Sequence, residues 1–305
     1  MRQEIIEQIK RIVPDTRVIE NESMQKHITF RAGGITPLFV ELVTQEEIMD
    51  VISLLEKETE DYYLIGNGSN LLVSDKGYQG AVLHISKDYN EIRVEENKLI
   101  CKSGASLAMI AREALEHGLT GFEFAAGIPG SLGGAIVMNA GAYGGEMAQV
   151  VESVTLFSAA CGKVTKRTEE MHFGYRHSIL KEENWTVLEV VISLEPGDRK
   201  EIREKMDQLA KQRIEKQPLE YPSAGSTFKR PEGYFAGKLI QDAGLRGYTV
   251  GGAQVSEKHC GFVINKNHAT ATDIYRLIMD VQEKVKHDTG VMLEPEVILL
   301  GDFQT

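Results

Sequence analysis

Apolar residues recur at helical spacing at Ile5, Ile6, Ile9 and Val13, which predicts an amphipathic helix over residues 3–13 that ends before Pro14. The run Leu38–Val43 reads as a strand. Thr44-Gln45-Glu46-Glu47 has the form of a capping box and opens a helix through about Lys57, with Ile48, Val51, Leu54 and Leu55 on one face. A further strand should lead into Gly66. Short β-like runs alternate with polar turns from Ala81 to Ser103, and a helix from Ser106 to His117 is closed by Gly118. Val151–Phe157 and Thr186–Leu194 read as strands. Pro196-Gly197 and the charged helix Asp198–Ile214 then mark a domain boundary. The last third holds an amphipathic stretch Phe235–Ala243, a strand Gly261–Asn265, a long helix 271–288 and a final apolar stretch Met292–Leu300. Hairpins and helices that do not strictly alternate argue for α+β architecture rather than a doubly wound sheet.

Two glycine-rich segments interrupt this pattern. From Gly127 to Gly145, seven of nineteen residues are glycine and none is charged. Such a segment lets backbone N–H groups approach a ligand, because no Cβ stands in the way; it also suits a close-packed buried turn and helix. Neither Lys nor Arg occurs between Arg112 and Lys163. A phosphate bound here would be held by peptide dipoles and a helix N-terminus rather than by side-chain charge. The second segment is Gly66-Asn67-Gly68-Ser69-Asn70, with apolar runs on both sides. It lacks the third glycine and the crossover helix of a Rossmann fingerprint. Either it supplies neutral donors to a pyrophosphate or it is the turn of a hairpin.

At 305 residues the chain accommodates two or three domains. Its net charge of −11, from 45 acidic and 34 basic residues, argues against nonspecific attraction to nucleic acid or an anionic membrane. Cys101, Cys161 and Cys260 are far apart and show no metal or redox spacing, which fits a reducing cytoplasm and packing roles. No apolar stretch approaches the ~18 residues needed to span a bilayer. The expectation is a cytoplasmic protein with no bound metal and no obligate protein partner.

Three polar sites stand in unusual company. Arg176, within Phe173-Gly174-Tyr175-Arg176-His177-Ser178, can grip a carboxylate through two parallel hydrogen bonds or lie on a surface loop. Ser226 follows a glycine beside Lys229 and Arg230, and suits a turn or cap as well as chemistry. Glu294 and Glu296 share one face of an apolar strand; they are solvent-facing at a surface, or costly and functional if buried. No Ser-His-Asp elbow or metal-ligand spacing is found, and His172 and His177 form no cluster.

In this order and across nearly the whole chain, GNGSNLL, GIPGSLGGAIVMNAGAYGGE, FGYRHS, AGSTFKRP and LEPEV closely resemble the UDP-N-acetylenolpyruvoylglucosamine reductase family of bacterial peptidoglycan synthesis. The resemblance is to its shorter form, without a tyrosine lid loop. The first two motifs alone resemble the wider flavin-binding fold of the vanillyl-alcohol-oxidase/PCMH type. The resemblance implies an FAD-binding region at 1–198, with subdomains at about 1–86 and 87–198, and a C-terminal α+β substrate-binding domain at 199–305 whose last strand can return to the first domain.

It further implies noncovalent FAD contacted by Gly66, Asn67, Gly68, Ser69, Asn70, Gly127, Ile128, Pro129, Gly130, Ser131, Gly133, Gly134, Asn139, Ala140 and Gly141. NADPH would be the hydride donor and UDP-N-acetylglucosamine enolpyruvate the substrate, reduced at C3 and protonated at C2. Arg176 and Glu296 would stabilise the enolate, Ser226 would donate the proton, and Tyr175, Lys216, Lys229 and Arg230 would contact the sugar nucleotide. The alternatives are another flavin oxidase or dehydrogenase of the same superfamily, which would not need Ser226 and Glu296, and a non-catalytic FAD-binding protein.

Overall fold

The computed structural model describes residues 1–303. The chain divides into two units: residues 1–19, 38–67 and 80–213 form the first, and residues 20–37, 68–79 and those from Ile214 onward form the second.

The first unit has two cores. Helix α1 (Gln3–Ile12) buries Ile5, Ile6 and Ile9, and its last turn is followed by Val13 and the helix-stopping Pro14. Helix α2 (Gln45–Lys57) buries Ile48, Val51, Ile52 and Leu55. Both pack on parallel strands, with Leu38–Leu42 in register with Ala81–Ile85, which pairs on its other side with Tyr62–Ile65. Thr44 caps α2 by accepting the Glu47 N–H at 3.1 Å. The Glu47 carboxylate accepts the Val43 N–H at 2.9 Å and grips Arg17 through Nη1 and Nη2.

The second core lies under an antiparallel sheet in the order Gly162–Arg167, Val151–Ser158, Thr186–Ser193, Lys98–Lys102, Ile92–Glu95. Along Thr186–Ser193 buried and half-buried residues alternate in the second half, the period-2 signature of a strand with one face inward. Helix α3 (Leu107–Glu116) starts at Ser106, whose hydroxyl accepts the Met109 N–H, and stops at Gly118 in the left-handed region. The short helix α4 (Leu132–Val137) runs through the glycine segment. Helix α5 (Arg199–Lys216) begins after Asp198, which accepts the Lys200 and Glu201 N–H groups.

The expected domain boundary at 198/199 differs from this division. Ile202 is buried and Met206 packs on the second core, so α5 stays with the first unit as far as Arg213.

In the second unit, Thr249–Val250, Ala253–Val255 and Val263–Asn265 form a small antiparallel sheet. It carries helices α6 (Ala236–Asp242) and α7 (Ala271–Thr289). Asp75 accepts the N–H groups of Ala271 and Thr272, closing the start of α7. The stretch Met292–Leu300 is not one strand. Pro295 has no N–H to give a ladder, and only Ile298–Leu300 is regular, pairing in parallel with Leu71–Val73. Tyr62–Ile65 and Leu71–Val73 therefore belong to different sheets, which rules out a hairpin at Gly66–Asn70.

Candidate functional site

The two glycine-rich segments meet within the first unit. A Cβ added to Gly66, just past strand Tyr62–Ile65, would lie 2.0 Å from the Ser131 hydroxyl oxygen, so any side chain here must displace that hydroxyl. Ser131 is buried and caps α4, its Oγ accepting the Gly134 N–H at 3.5 Å. The other first-turn amides of α4 are also engaged: Leu132 N–H donates to Ala105 O and Gly133 N–H to Ser103 O, both at 2.8 Å. The α4 N-terminus is thus satisfied by the protein, and the expectation of an anion site there does not hold.

Open donors lie in the other segment. Among the described residues, the N–H groups of Asn67, Gly68 and Ser69 have no protein acceptor. Gly68 is buried at φ 57°, and a Cβ on it would fall 2.2 Å from the His27 carbonyl oxygen. Successive unpaired amides in a glycine turn form a concavity suited to an anion, and this donor set fits the diphosphate of FAD.

The expectation that side-chain charge is remote from the glycine segment is also corrected. Arg213 on α5 comes against Gly127, with its Cδ 3.2 Å and its Nη1 3.4 Å from where a Cβ would stand. Burial pushes its guanidinium pKa down, opposed by Tyr143. Sequence reasoning missed this residue because 86 positions separate it from Gly127 and its helix shows no break in its charged pattern.

Arg176 occupies a tight turn. Gly174 and His177 exchange two backbone hydrogen bonds at 3.0 and 3.1 Å, and Arg176 between them has φ 54°. Its Nη2 donates to the Gly141 carbonyl oxygen at 3.2 Å, and its guanidinium lies 5.3 Å from the exposed Tyr175 ring. Asn139 is fully buried at φ 40°. Its amide nitrogen donates to Gly174 O and its amide oxygen accepts the Ala148 N–H.

Ser226 and Glu296 are brought together within the second unit. Phe228 and Pro295 form an antiparallel bridge, Glu296 N–H donates to Thr227 O at 2.8 Å, and Lys229 N–H donates to Glu294 O at 2.8 Å. Thr227 is buried and its hydroxyl accepts the Val263 N–H, which pins the segment to the small sheet. Ser226, just before it, is exposed; it caps no helix, and among the described residues its hydroxyl has no protein partner.

Asn70 donates to the Glu296 carbonyl at 3.0 Å, which steadies the backbone at Glu296. The two glutamates part company: Glu296 is half-buried, whereas Glu294 is exposed and ion-paired with Lys229. Arg230 lies 4.0 Å from the Phe235 ring centroid and donates to Tyr234 O at 3.3 Å. Lys216 is exposed at the end of α5.

No group of His, Cys, Asp and Glu among the described residues has metal-binding geometry. Burial pushes the Cys101 thiol up to about 12, which suits a packing residue rather than a nucleophile.

Residues 36–167 match the model of an FAD binding domain, and residues 217–300 match the C-terminal domain of UDP-N-acetylenolpyruvoylglucosamine reductase. A UDP-N-acetylenolpyruvoylglucosamine reductase of Caldanaerobacter subterraneus subsp. tengcongensis is 50% identical over 302 residues, covering 99% of this chain and 100% of the relative. One from Agathobacter rectalis is 48% identical over 315 residues, with the same coverage. Among solved structures, the UDP-N-acetylenolpyruvylglucosamine reductase of Thermus caldophilus superposes with a TM-score of 0.80 at 33% identity, over 93% of this chain and 99% of that one. An alkyldihydroxyacetonephosphate synthase, at 14% identity and a TM-score of 0.51, shares the fold over 64% of this chain and 41% of its own.

Proposed function

Because the chain belongs to the UDP-N-acetylenolpyruvoylglucosamine reductase family, we propose that Arg176, Ser226 and Glu296 carry its reaction. It is an FAD-dependent oxidoreductase that reduces UDP-N-acetylglucosamine enolpyruvate to UDP-N-acetylmuramate in peptidoglycan precursor synthesis, with NADPH as hydride donor. FAD, which Asn67, Gly68 and Ser69 would hold at its diphosphate, would supply the hydride transfer between NADPH and C3 of the enolpyruvyl group.

The protein's task is to make a poor acceptor reactive. An enol ether accepts hydride only if the negative charge that builds on its carboxylate is met by prearranged donors. Arg176 supplies a planar fork matched to a carboxylate, and the Gly141 carbonyl restrains that fork. Glu296 assists if it holds a proton or is bridged to a donor. Ser226 then gives its hydroxyl proton to C2; an enolate is basic enough to accept a proton from an alcohol aimed at it. The observation that carries this assignment is the Thr227–Glu296 hydrogen bond, which sets the Ser226 and Glu296 segments side by side while leaving the Ser226 hydroxyl unengaged.

The unpaired amides of Asn67, Gly68 and Ser69 hold the FAD diphosphate in this reading, with Gly66, Asn70 and the Gly127–Gly141 segment framing the cofactor. Tyr175, Lys216, Lys229 and Arg230 contact the sugar nucleotide. We place the protein in the cytoplasm, where both nucleotides are dissolved; no helix among the described residues is long and apolar enough to cross a membrane.

The test is product analysis in heavy water with a limiting amount of NADPH. The reading expects one NADPH consumed per enolpyruvyl substrate, reduction at C3 and a solvent deuterium at C2. NADPH consumption that proceeds without the substrate, at the expense of oxygen, would contradict it.

A further inference from the structure

We propose that Asn139 is a positioning residue, whose buried side-chain amide holds the Arg176 turn in place on the glycine segment. The inference rests on Arg176 binding the substrate carboxylate, and it assigns to Asn139 a task other than touching a ligand.

Three hydrogen bonds join the two segments. Ser178 Oγ donates to Val137 O at 2.8 Å, Asn139 Nδ2 donates to Gly174 O at 3.0 Å, and Arg176 Nη2 donates to Gly141 O at 3.2 Å. The outer two leave the middle one as the bond that fixes the turn itself, because Gly174 O is also the acceptor for the His177 N–H that closes it. A carbonyl oxygen has two lone pairs, and here the turn bond and the Asn139 bond use both.

The other end of the Asn139 amide is equally committed, since Oδ1 accepts the Ala148 N–H at 2.9 Å. Asn139 and Ser178 are both 0% exposed, so neither bond competes with solvent. With its nitrogen and its oxygen each bonded inside the protein and the side chain fully buried, Asn139 acts on the reaction through what it holds. The part it holds is the turn whose next-but-one residue is Arg176. Asn139 itself sits at φ 40°, a conformation that asparagine tolerates better than other non-glycine residues, so its backbone and side chain serve the same junction.

The test uses full-length, FAD-loaded Asn139→Asp, which keeps the acceptor for Ala148 N–H and removes the donor to Gly174 O. Amide hydrogen exchange at His177 should accelerate roughly tenfold as the turn loosens. Substrate-driven reoxidation of the flavin should slow on the order of tenfold to a hundredfold, the scale of a misplacement of about 1 Å, while FAD affinity stays within about twofold. In an Arg176→Ala background the same change should add nothing, because the group it positions is gone.

Equal rate losses in both backgrounds, or FAD affinity falling in step with rate, would overturn the proposal. If Asn139→Asp does not fold, Asn139→Gly keeps the left-handed backbone and gives the same comparison. A wild-type enzyme that the substrate fails to reoxidise would instead defeat the functional reading, and His177 exchange would still decide whether Asn139 holds the turn.

Discussion

A Cβ on Gly66 would lie 2.0 Å from Ser131 Oγ and 3.1 Å from Ser131 Cβ, so the Gly66 backbone packs directly against the Ser131 side chain. The hydroxyl in the way is also the α4 cap. Gly66→Ala should therefore displace the cap, lower stability by about 1–2 kcal/mol and weaken FAD binding. Denaturant unfolding and flavin fluorescence would measure both. In a Ser131→Ala background, where the oxygen is already absent, Gly66→Ala should cost distinctly less.

Arg176 has φ 54° at a turn position that glycine prefers. Arg176→Gly and Arg176→Ala should slow turnover alike, by orders of magnitude but to a measurable rate, since both remove the guanidinium. They should differ in stability, with the glycine variant more stable by about 1 kcal/mol because it adopts the left-handed region without a Cβ clash. Thermal unfolding of the pair separates the strain from the chemistry.

Glu47 is mostly buried, which on its own would raise its pKa; the hydrogen bonds from Arg17 and the Val43 N–H outweigh burial and hold it below the ordinary value of 4.5. A depressed carboxylate pKa contributes stability above 4.5, and that stability is lost as pH falls through the lower folded value. Glu47→Gln should cost about 2 kcal/mol at pH 7, as expected for losing hydrogen bonds to a charged partner. The difference from wild type should shrink below pH 4.5, seen as converging chevron or melt midpoints.

Burial lowers the pKa of His259 from 6.5, against a hydrogen bond that favours its charged form. Its Nδ1 accepts the Gly261 N–H at 3.1 Å, and Gly261 O in turn accepts the Thr227 N–H beside Ser226. The folded state resists a proton that the unfolded state takes up, so stability should decline as pH drops below 6.5 toward the folded value. His259→Asn should flatten that part of the stability profile; an unchanged slope would show that His259 does not titrate in this way.

The parts of the fold set by local rules were legible in the chain. The α1 stop at Pro14, the Thr44 and Ser106 starts and the Gly118 end follow from spacing and capping alone. What could not be read depends on partners distant in sequence. Nothing near Gly127 announces Arg213, and nothing in Leu71–Val73 announces that it pairs with Ile298–Leu300 rather than with Tyr62–Ile65. The α4 N-terminus illustrates the same limit: glycine-rich and well capped, it suggests an anion site until the carbonyls of Ser103 and Ala105 are seen to occupy its amides. Ser226 and Glu296 stand in unusual company in the sequence but gain roles only from the resemblance of their motifs, and the Phe228–Pro295 bridge with the Thr227–Glu296 and Lys229–Glu294 bonds gives their pairing a physical basis.

The most direct test is an anaerobic two-step titration of wild type and Ser226→Ala, following the oxidised-flavin band. In the wild type NADPH should bleach the band and the enolpyruvyl substrate should restore it. In Ser226→Ala, bleaching should proceed at nearly the wild-type rate, and recovery should slow by orders of magnitude. Equal slowing of both steps would make Ser226 a structural residue, and recovery at the wild-type rate would remove it from the proton transfer.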